Sequence, residues 1–228
     1  MNYNEIIGVD ETGVGDYFGP IVSVACYIPN QHIDLIKQLN VKDSKKLTDK
    51  KILEIVPTIM KLVYYKQTIL TQDGYNKLIK AKINNNEIKT LIHSNTLNNF
   101  INAYNVCNTV LIDQYTANNA IFEKHYQKLQ SIPWLNVSKP KLNIILETKA
   151  EDKSLAVACA SIIARAEFLK YMNVQNQKYN IEFKLGASNK VDEQAALFIQ
   201  QHGITELSKV AKISFKTTQK ALDMINDK

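Results

Sequence analysis

Apolar positions in the first thirty residues fall into two runs, 5–9 and 21–28, split by a polar segment that carries glycines. Short β-rich runs separated by turn residues predict two strands that pair as a hairpin. A third run, "KLVYYKQTIL" at 61–70, predicts another strand. The pattern then changes period: in "NNEIKTLIHSNTLNNFINAY", Ile88, Leu91, Ile92, Leu97, Phe100 and Ile101 make one apolar stripe, which predicts a helix. Two brief apolar runs follow, "VLID" ending at Asp113 and "LNIILE" ending at Glu147, bounded by polar residues as buried parallel strands are. From 150 to 172, "AEDKSLAVACASIIARAEFLKYM" has helical length, acids at its start and Arg165 and Lys170 toward its end. Its Ala156, Ala158, Cys159, Ala160 and Ser161 are small enough to let it lie close on a sheet. A hairpin first and strand–helix alternation afterwards predict a mixed-sheet α/β fold, and the length asks for no more than one domain.

Composition narrows the function. With 45% hydrophobic and 22% charged residues the chain is neither disordered nor fibrous, and no apolar stretch reaches the roughly 18 residues a membrane span needs. Cys26, Cys107 and Cys159 show no C-x-x-C spacing, so reduced thiols and a cytoplasmic setting are expected. A net charge of +6 leans toward a polyanionic partner. Arg165 is the single arginine, and lysines act as point charges, so sequence-blind contact with a nucleic-acid backbone is the better expectation. No heptad run points to an oligomer, and a monomer is expected.

The candidate chemistry lies in acids at strand ends. Asp10 closes the first strand and Asp113 a later one. The crevice beyond the carboxyl ends of strands is where open α/β sheets place ligands. If the two strands are neighbours, their carboxylates meet, and Glu151 at the start of the small-residue helix can turn toward them. Crowded hard oxygens call for Mg²⁺ or Mn²⁺, and such a cluster suits two ions about 4 Å apart acting on a phosphodiester. Each acid alone is equally well a solvated turn or a helix-start charge. Gly13-Val14-Gly15 permits close approach of backbone to a ligand, or is only a turn. Tyr17 beside it offers a ring to a base or sugar. Ser44, Lys45 and Lys46 in "DSKKL", with Lys149 and Lys190, are candidate phosphate contacts, though surface charge explains each as well. His32, His93, His125 and His202 have no metal-site spacing and are set aside as catalytic candidates.

Taken together, "GVDETGVGDYFGPIV", "VKDSKKL", "VLIDQY", "TKAEDKSLAVACASIIAR" and "KLGASNKVDEQAA" resemble the bacterial ribonuclease HIII group of type 2 ribonucleases H, in order and spacing, from residue 6 to about 218. The resemblance implies a ribonuclease H-like fold, a mixed five-stranded sheet flanked by helices with a helical carboxyl-terminal part. It also implies endonucleolytic cleavage of the RNA strand of RNA–DNA hybrids with two Mg²⁺ or Mn²⁺ ions. It places the catalytic and metal-binding acids on Asp10, Glu11, Asp113 and Glu151, and contact with the hybrid's sugar-phosphate chain on the Gly13–Gly15 backbone; with the residue-level candidates, the expected substrate contacts are Thr12, Gly13, Val14, Gly15, Tyr17, Ser44, Lys45, Lys46, Lys149 and Lys190. Glutamate in "TKAE" and "GDYFGP" after the G-x-G look like type HIII. The related type HII activity, incision at single ribonucleotides in duplex DNA, is the alternative, and a non-catalytic nucleic-acid-binding module is another. The extra amino-terminal substrate-binding domain common in the group is expected to be absent. Ser214 and Thr217 in "KISFKTT" stand where the group has His and Asn, so no role carries over there.

Overall fold

The computed structural model describes residues 5–41 and 47–227. Ser44, Lys45 and Lys46 therefore lie outside the described residues. The chain divides into two compact units, Met1–Thr12 with Val22–Ile69 and Asn85–Glu167, and Gly13–Ile21 with Leu70–Asn84 and Phe168–Lys228. The strands are β1 (Ile7–Thr12), β2 (Ile21–Tyr27), β3 (Tyr64–Leu70), β4 (Thr109–Asp113) and β5 (Asn143–Glu147). The helices are α1 (Ile33–Gln38), α2 (Asp49–Leu62), α3 (Gln72–Lys80), α4 (Asn85–Ala103), α5 (Asn119–Gln130), α6 (Ala150–Lys153), α7 (Leu155–Tyr179), α8 (Asn189–Val210) and α9 (Lys216–Asn226).

The first unit is built on a five-stranded sheet in the order β3-β2-β1-β4-β5. β1 pairs antiparallel with β2, as the hairpin reading requires, and parallel with β4, which pairs parallel with β5. This is the expected mixed sheet. Alternating residues serve its two faces: Ile7, Val9, Val110 and Ile112 pack with Leu97 and Phe100 of α4, while Ile6, Leu111 and Ile145 pack with Ala150 and Val157 of α6 and α7. Both faces are covered, which is why these strands read as apolar runs.

Several boundaries differ from the sequence reading. The first strand, expected over 5–9 and closed by Asp10, runs Ile7–Thr12, because antiparallel pairing with β2 continues to Thr12, so Asp10 and Glu11 lie within it. The strand expected from residue 61 begins at Tyr64, because α2 occupies the positions before it. Its Ile52, Ile55, Val56 and Ile59 form a buried stripe at helical spacing, and the Thr48 side chain caps its start by accepting from Lys51 N–H at 3.2 Å. The helix expected over 150–172 is two helices, broken at Ser154, which is extended (φ −131°, ψ 125°).

The second unit holds the glycine loop, α3, the later part of α7, α8 and α9. The loop is tied down through its backbone: Tyr17 N–H donates to Gly186 O at 2.9 Å, Gly19 N–H to Val210 O at 3.2 Å, and Lys212 N–H to Tyr17 O at 2.9 Å. Buried Lys212 adds its ammonium, 2.6 Å from Gly19 O, and burial pulls its pKa down to about 7. Gly13 has φ +88°, and a Cβ there would lie 2.1 Å from Pro20 O, so this turn admits only glycine.

Close approach of α7 to the sheet rests on Gly8, where a Cβ would come within 2.2 Å of Val157 N. A backbone atom cannot step aside as a side-chain tip can. We expect Gly8→Ala to lower the free energy of unfolding by about 2–4 kcal/mol, measured by urea denaturation; an unchanged midpoint would remove this contact from the account.

Candidate active site

Val9 and Ile112 are in register on the parallel pair β1 and β4. One residue further on, Asp10 and Asp113 therefore stand side by side, Asp113 as the last residue of β4 and Asp10 two residues before the end of β1. Asp113 is anchored by the Ala150 N–H, which donates to its Oδ1 at 3.1 Å, and Glu151, the next residue, is buried. The break at Ser154 makes this possible, since it sets α6 off as a short turn of its own before α7.

The pleat divides the neighbouring acids Asp10 and Glu11. Asp10 shares its face with Gly8, the α7 side, and the Ser161 hydroxyl of α7 hydrogen-bonds its carboxyl. Its Oδ1 also accepts the Glu11 N–H at 2.8 Å. Glu11 shares its face with Val9, the α4 side, where Lys89 lies 2.6 Å from Oε1 and His93 Nε2 lies 2.9 Å from Oε2. Tyr115 frames this group: its hydroxyl is 2.9 Å from Thr90 Oγ1, and its ring is edge-on to His93 and 5.4 Å from the Lys89 ammonium.

The electrostatics of the two acids diverge accordingly. Burial first, then the charges of Glu11 and, to a smaller extent, Asp113 push the Asp10 pKa up to about 8, against the Ser161 and Glu11 hydrogen bonds that favour its anion. Burial also works to raise Glu11, yet the His93 hydrogen bond and charge, followed by Lys89, outweigh it and hold the pKa at about 2. Glu11 is thus held as an anion, whereas Asp10 keeps its proton up to about pH 8.

No three His, Cys, Asp or Glu side chains among the described residues are drawn together closely enough to hold a metal ion. Nevertheless, the donor set fits a hard divalent cation. Asp10 and Asp113 offer carboxylate oxygens side by side on neighbouring strands, and the raised Asp10 pKa records a place where added positive charge would be stabilising.

Beside these acids, Glu11, Thr12, Leu47, Asp49, Ile52, Ser161, Ile162 and Arg165 line a recess of about 230 Å³. Arg165 makes a two-pronged contact with Asp49, Nε to Oδ1 at 2.9 Å and Nη2 to Oδ2 at 2.8 Å. Among the expected substrate contacts, Gly15, Lys149 and Lys190 are exposed, and Thr12 and Val14 are half-buried. Gly13 is buried. Tyr17 is corrected: its side chain is fully buried, its hydroxyl is 2.8 Å from Thr218 Oγ1 and its ring packs on Phe18 and Phe215. It cannot offer a face to a base. The functional neighbours that sequence reasoning missed are Lys89, His93 and Ser161. For the first two the available signal was their spacing on one helix, four residues apart, beside a strand that ends in an unpaired acid.

Residues 7–218 match the family described as Ribonuclease HII. The chain is 36% identical over 229 residues to "Ribonuclease HIII" of Staphylococcus epidermidis, covering 100% of this chain and 71% of that protein. It is 38% identical over 215 residues to "Ribonuclease HIII" of Phytoplasma mali, covering 94% of this chain and 71% of that protein. The crystal structure of Bst ribonuclease HIII in complex with Mn²⁺ superposes with a TM-score of 0.88 at 33% identity, covering 99% of this chain and 72% of that one. Ribonuclease H2 from Pyrococcus horikoshii OT3, at 21% identity and a TM-score of 0.75, shares the fold.

The Asp10 shift carries a pH dependence. Between its ordinary 3.8 and about 8, the folded protein keeps a proton on Asp10 that the unfolded chain has released. The folded state then binds more protons, so without metal this group's stabilisation is complete at low pH and is lost as pH rises toward 8. Glu11, depressed from 4.5 to about 2, keeps its contribution above about pH 4.5 and loses it as pH falls toward 2, outside the range from pH 5 to pH 8. Asn at position 10 cannot ionise. We expect metal-free Asp10→Asn to exceed wild type in stability by about 2–4 kcal/mol more at pH 8 than at pH 5, in chelator-treated denaturation series; parallel pH profiles would contradict it.

Proposed function

The chain belongs to the ribonuclease HII family, and on that premise we propose that it acts as a ribonuclease HIII, a metal-dependent endonuclease that hydrolyses the RNA strand of RNA–DNA hybrids. The observation that carries this reading at the level of residues is the pairing of Asp10 and Asp113 on neighbouring parallel strands, with Asp10 disfavoured as an anion by burial first and then by the charges of Glu11 and Asp113.

In this reading Asp10, Glu11, Asp113 and Glu151 hold two divalent ions, Mg²⁺ or Mn²⁺. When bound, such ions lower the pKa of the attacking water and neutralise charge that builds on the phosphate and its leaving oxygen. The protein's own groups set the geometry. Ser161 and the Glu11 N–H orient Asp10, Ala150 N–H orients Asp113, and His93 orients Glu11. Water attacks phosphorus in line, the bond to the 3′-oxygen breaks, and that oxygen leaves with a proton. The products are a 5′-phosphate and a 3′-hydroxyl, with no covalent enzyme intermediate. In this reading the backbone of Thr12, Gly13, Val14 and Gly15, which follows Glu11 directly in the chain, meets the sugar-phosphate strand, whose 2′-hydroxyls distinguish RNA from DNA. Lys149, one residue before Ala150, and Lys190, together with Ser44, Lys45 and Lys46, supply sequence-blind phosphate contacts.

The same reading takes the enzyme to be monomeric and cytoplasmic. Free Cys26, Cys107 and Cys159 suit a reducing compartment. No helix among the described residues is long and apolar enough to cross a membrane.

Asp113→Asn should lower cleavage of a hybrid by at least about a thousandfold, while hybrid affinity falls by less than about threefold. Wild-type-like turnover at saturating Mg²⁺ would exclude Asp113 from the chemistry. Offering a continuous hybrid and a duplex with one ribonucleotide to the wild-type enzyme in parallel separates the HIII from the HII activity. The hybrid is expected to be the better substrate, and preferential incision of the single-ribonucleotide duplex would reverse the assignment. Binding should weaken steeply with added salt and little with base sequence; a flat salt response would exclude lysine–phosphate docking.

A further inference from the structure

Both oxygens of Glu11 are taken by cationic or ring donors from one helix, and the two donors differ in kind. His93 is 2% exposed, packs edge-on against Tyr115, and has a buried Nδ1 with no hydrogen-bond partner among the described residues. It cannot swing away without emptying a packed position. Lys89 keeps 21% exposure on an unbranched stem, and its ammonium lies 5.4 Å from the Tyr115 ring centroid. A lysine ammonium is flexible and strongly hydrated, so it can pass from a carboxylate to water and back.

From this asymmetry we propose that Lys89 is a displaceable counter-ion, holding Oε1 of Glu11 while no divalent ion is bound and yielding that oxygen when an ion arrives. His93 stays in place and aims the carboxylate. The proposal rests on the reading of Glu11 as a metal ligand and adds how that ligand is kept in the metal-free protein. Burial disfavours the Glu11 anion, and His93 meets only Oε2, so without Lys89 the Oε1 oxygen would lack its cationic partner. Lys89 supplies that charge, and any ion that recruits Glu11 competes with an intramolecular cation. Lys89 is therefore a positioning residue that sets metal affinity and takes no part in bond breaking.

Two measurements on the full chain test this. Reductive methylation read by mass spectrometry, with and without saturating Mg²⁺, should show Lys89 modified several-fold faster when the ion is present. Lys51, paired with Glu54 on α2, should react equally in both states. By calorimetry, Lys89→Met should bind Mn²⁺ about tenfold more tightly than wild type, and Lys89→Arg should stay near wild type. Labelling of Lys89 that ignores Mg²⁺, or Mn²⁺ affinity that is unchanged or weaker in Lys89→Met, would overturn the proposal. Failure of the wild type to take up Mn²⁺ would bring down the metal reading of the acids as well. Normal wild-type uptake without the two Lys89 effects would sink the counter-ion alone.

Discussion

Negative charge gathered at one end of a covered sheet is the constraint on which the rest of this structure depends. Asp10 and Asp113 are neighbours on adjacent parallel strands, Glu11 follows Asp10 in the chain, Glu151 follows the residue whose N–H holds Asp113, and helices pack on both faces of the sheet. Repulsion in such surroundings has two remedies, a proton or a cation. Asp10 shows the first in its raised pKa. A divalent ion is the second, and it converts a cost to folding into the means of activating water. Function thus accounts for a feature that stability alone would select against.

The scaffold serves this placement at particular residues. Gly8 and the small residues of α7 bring Ser161 to Asp10, because a side chain at position 8 would strike the Val157 backbone. The break at Ser154 sets α6 apart from α7, and Ala150 at the start of α6 grips Asp113. Alternation along β1 sends Asp10 and Glu11 to opposite faces, so two adjacent acids meet different neighbours and acquire opposite protonation preferences. A helix at this position could not separate consecutive residues so completely.

Much of the fold was legible in the sequence. The apolar runs located the strands, the expected neighbouring of Asp10 and Asp113 followed from their parallel pairing, and the small residues of the later helix implied close packing on the sheet. What was not legible depended on distance in sequence or on direction in space. Lys89 and His93 meet Glu11 across a long chain separation, and a lysine four residues from a histidine on a helix does not name its partner. Tyr17 sits beside a glycine loop, but sequence cannot say which way a loop side chain turns, and here packing against Phe18 and Phe215 draws it inward. The pattern Ile52, Ile55, Val56 and Ile59 did carry a helical signal for α2, and the strand reading that began at residue 61 borrowed its last turn.

The account is tested most directly by anomalous diffraction from crystals of the protein soaked in Mn²⁺. It predicts peaks at the carboxyl ends of β1 and β4, within coordination distance of Asp10 and Asp113, with Glu11 turned from Lys89 toward the ion. Manganese bound elsewhere, with those carboxylates unchanged and Glu11 still held by Lys89, would contradict it.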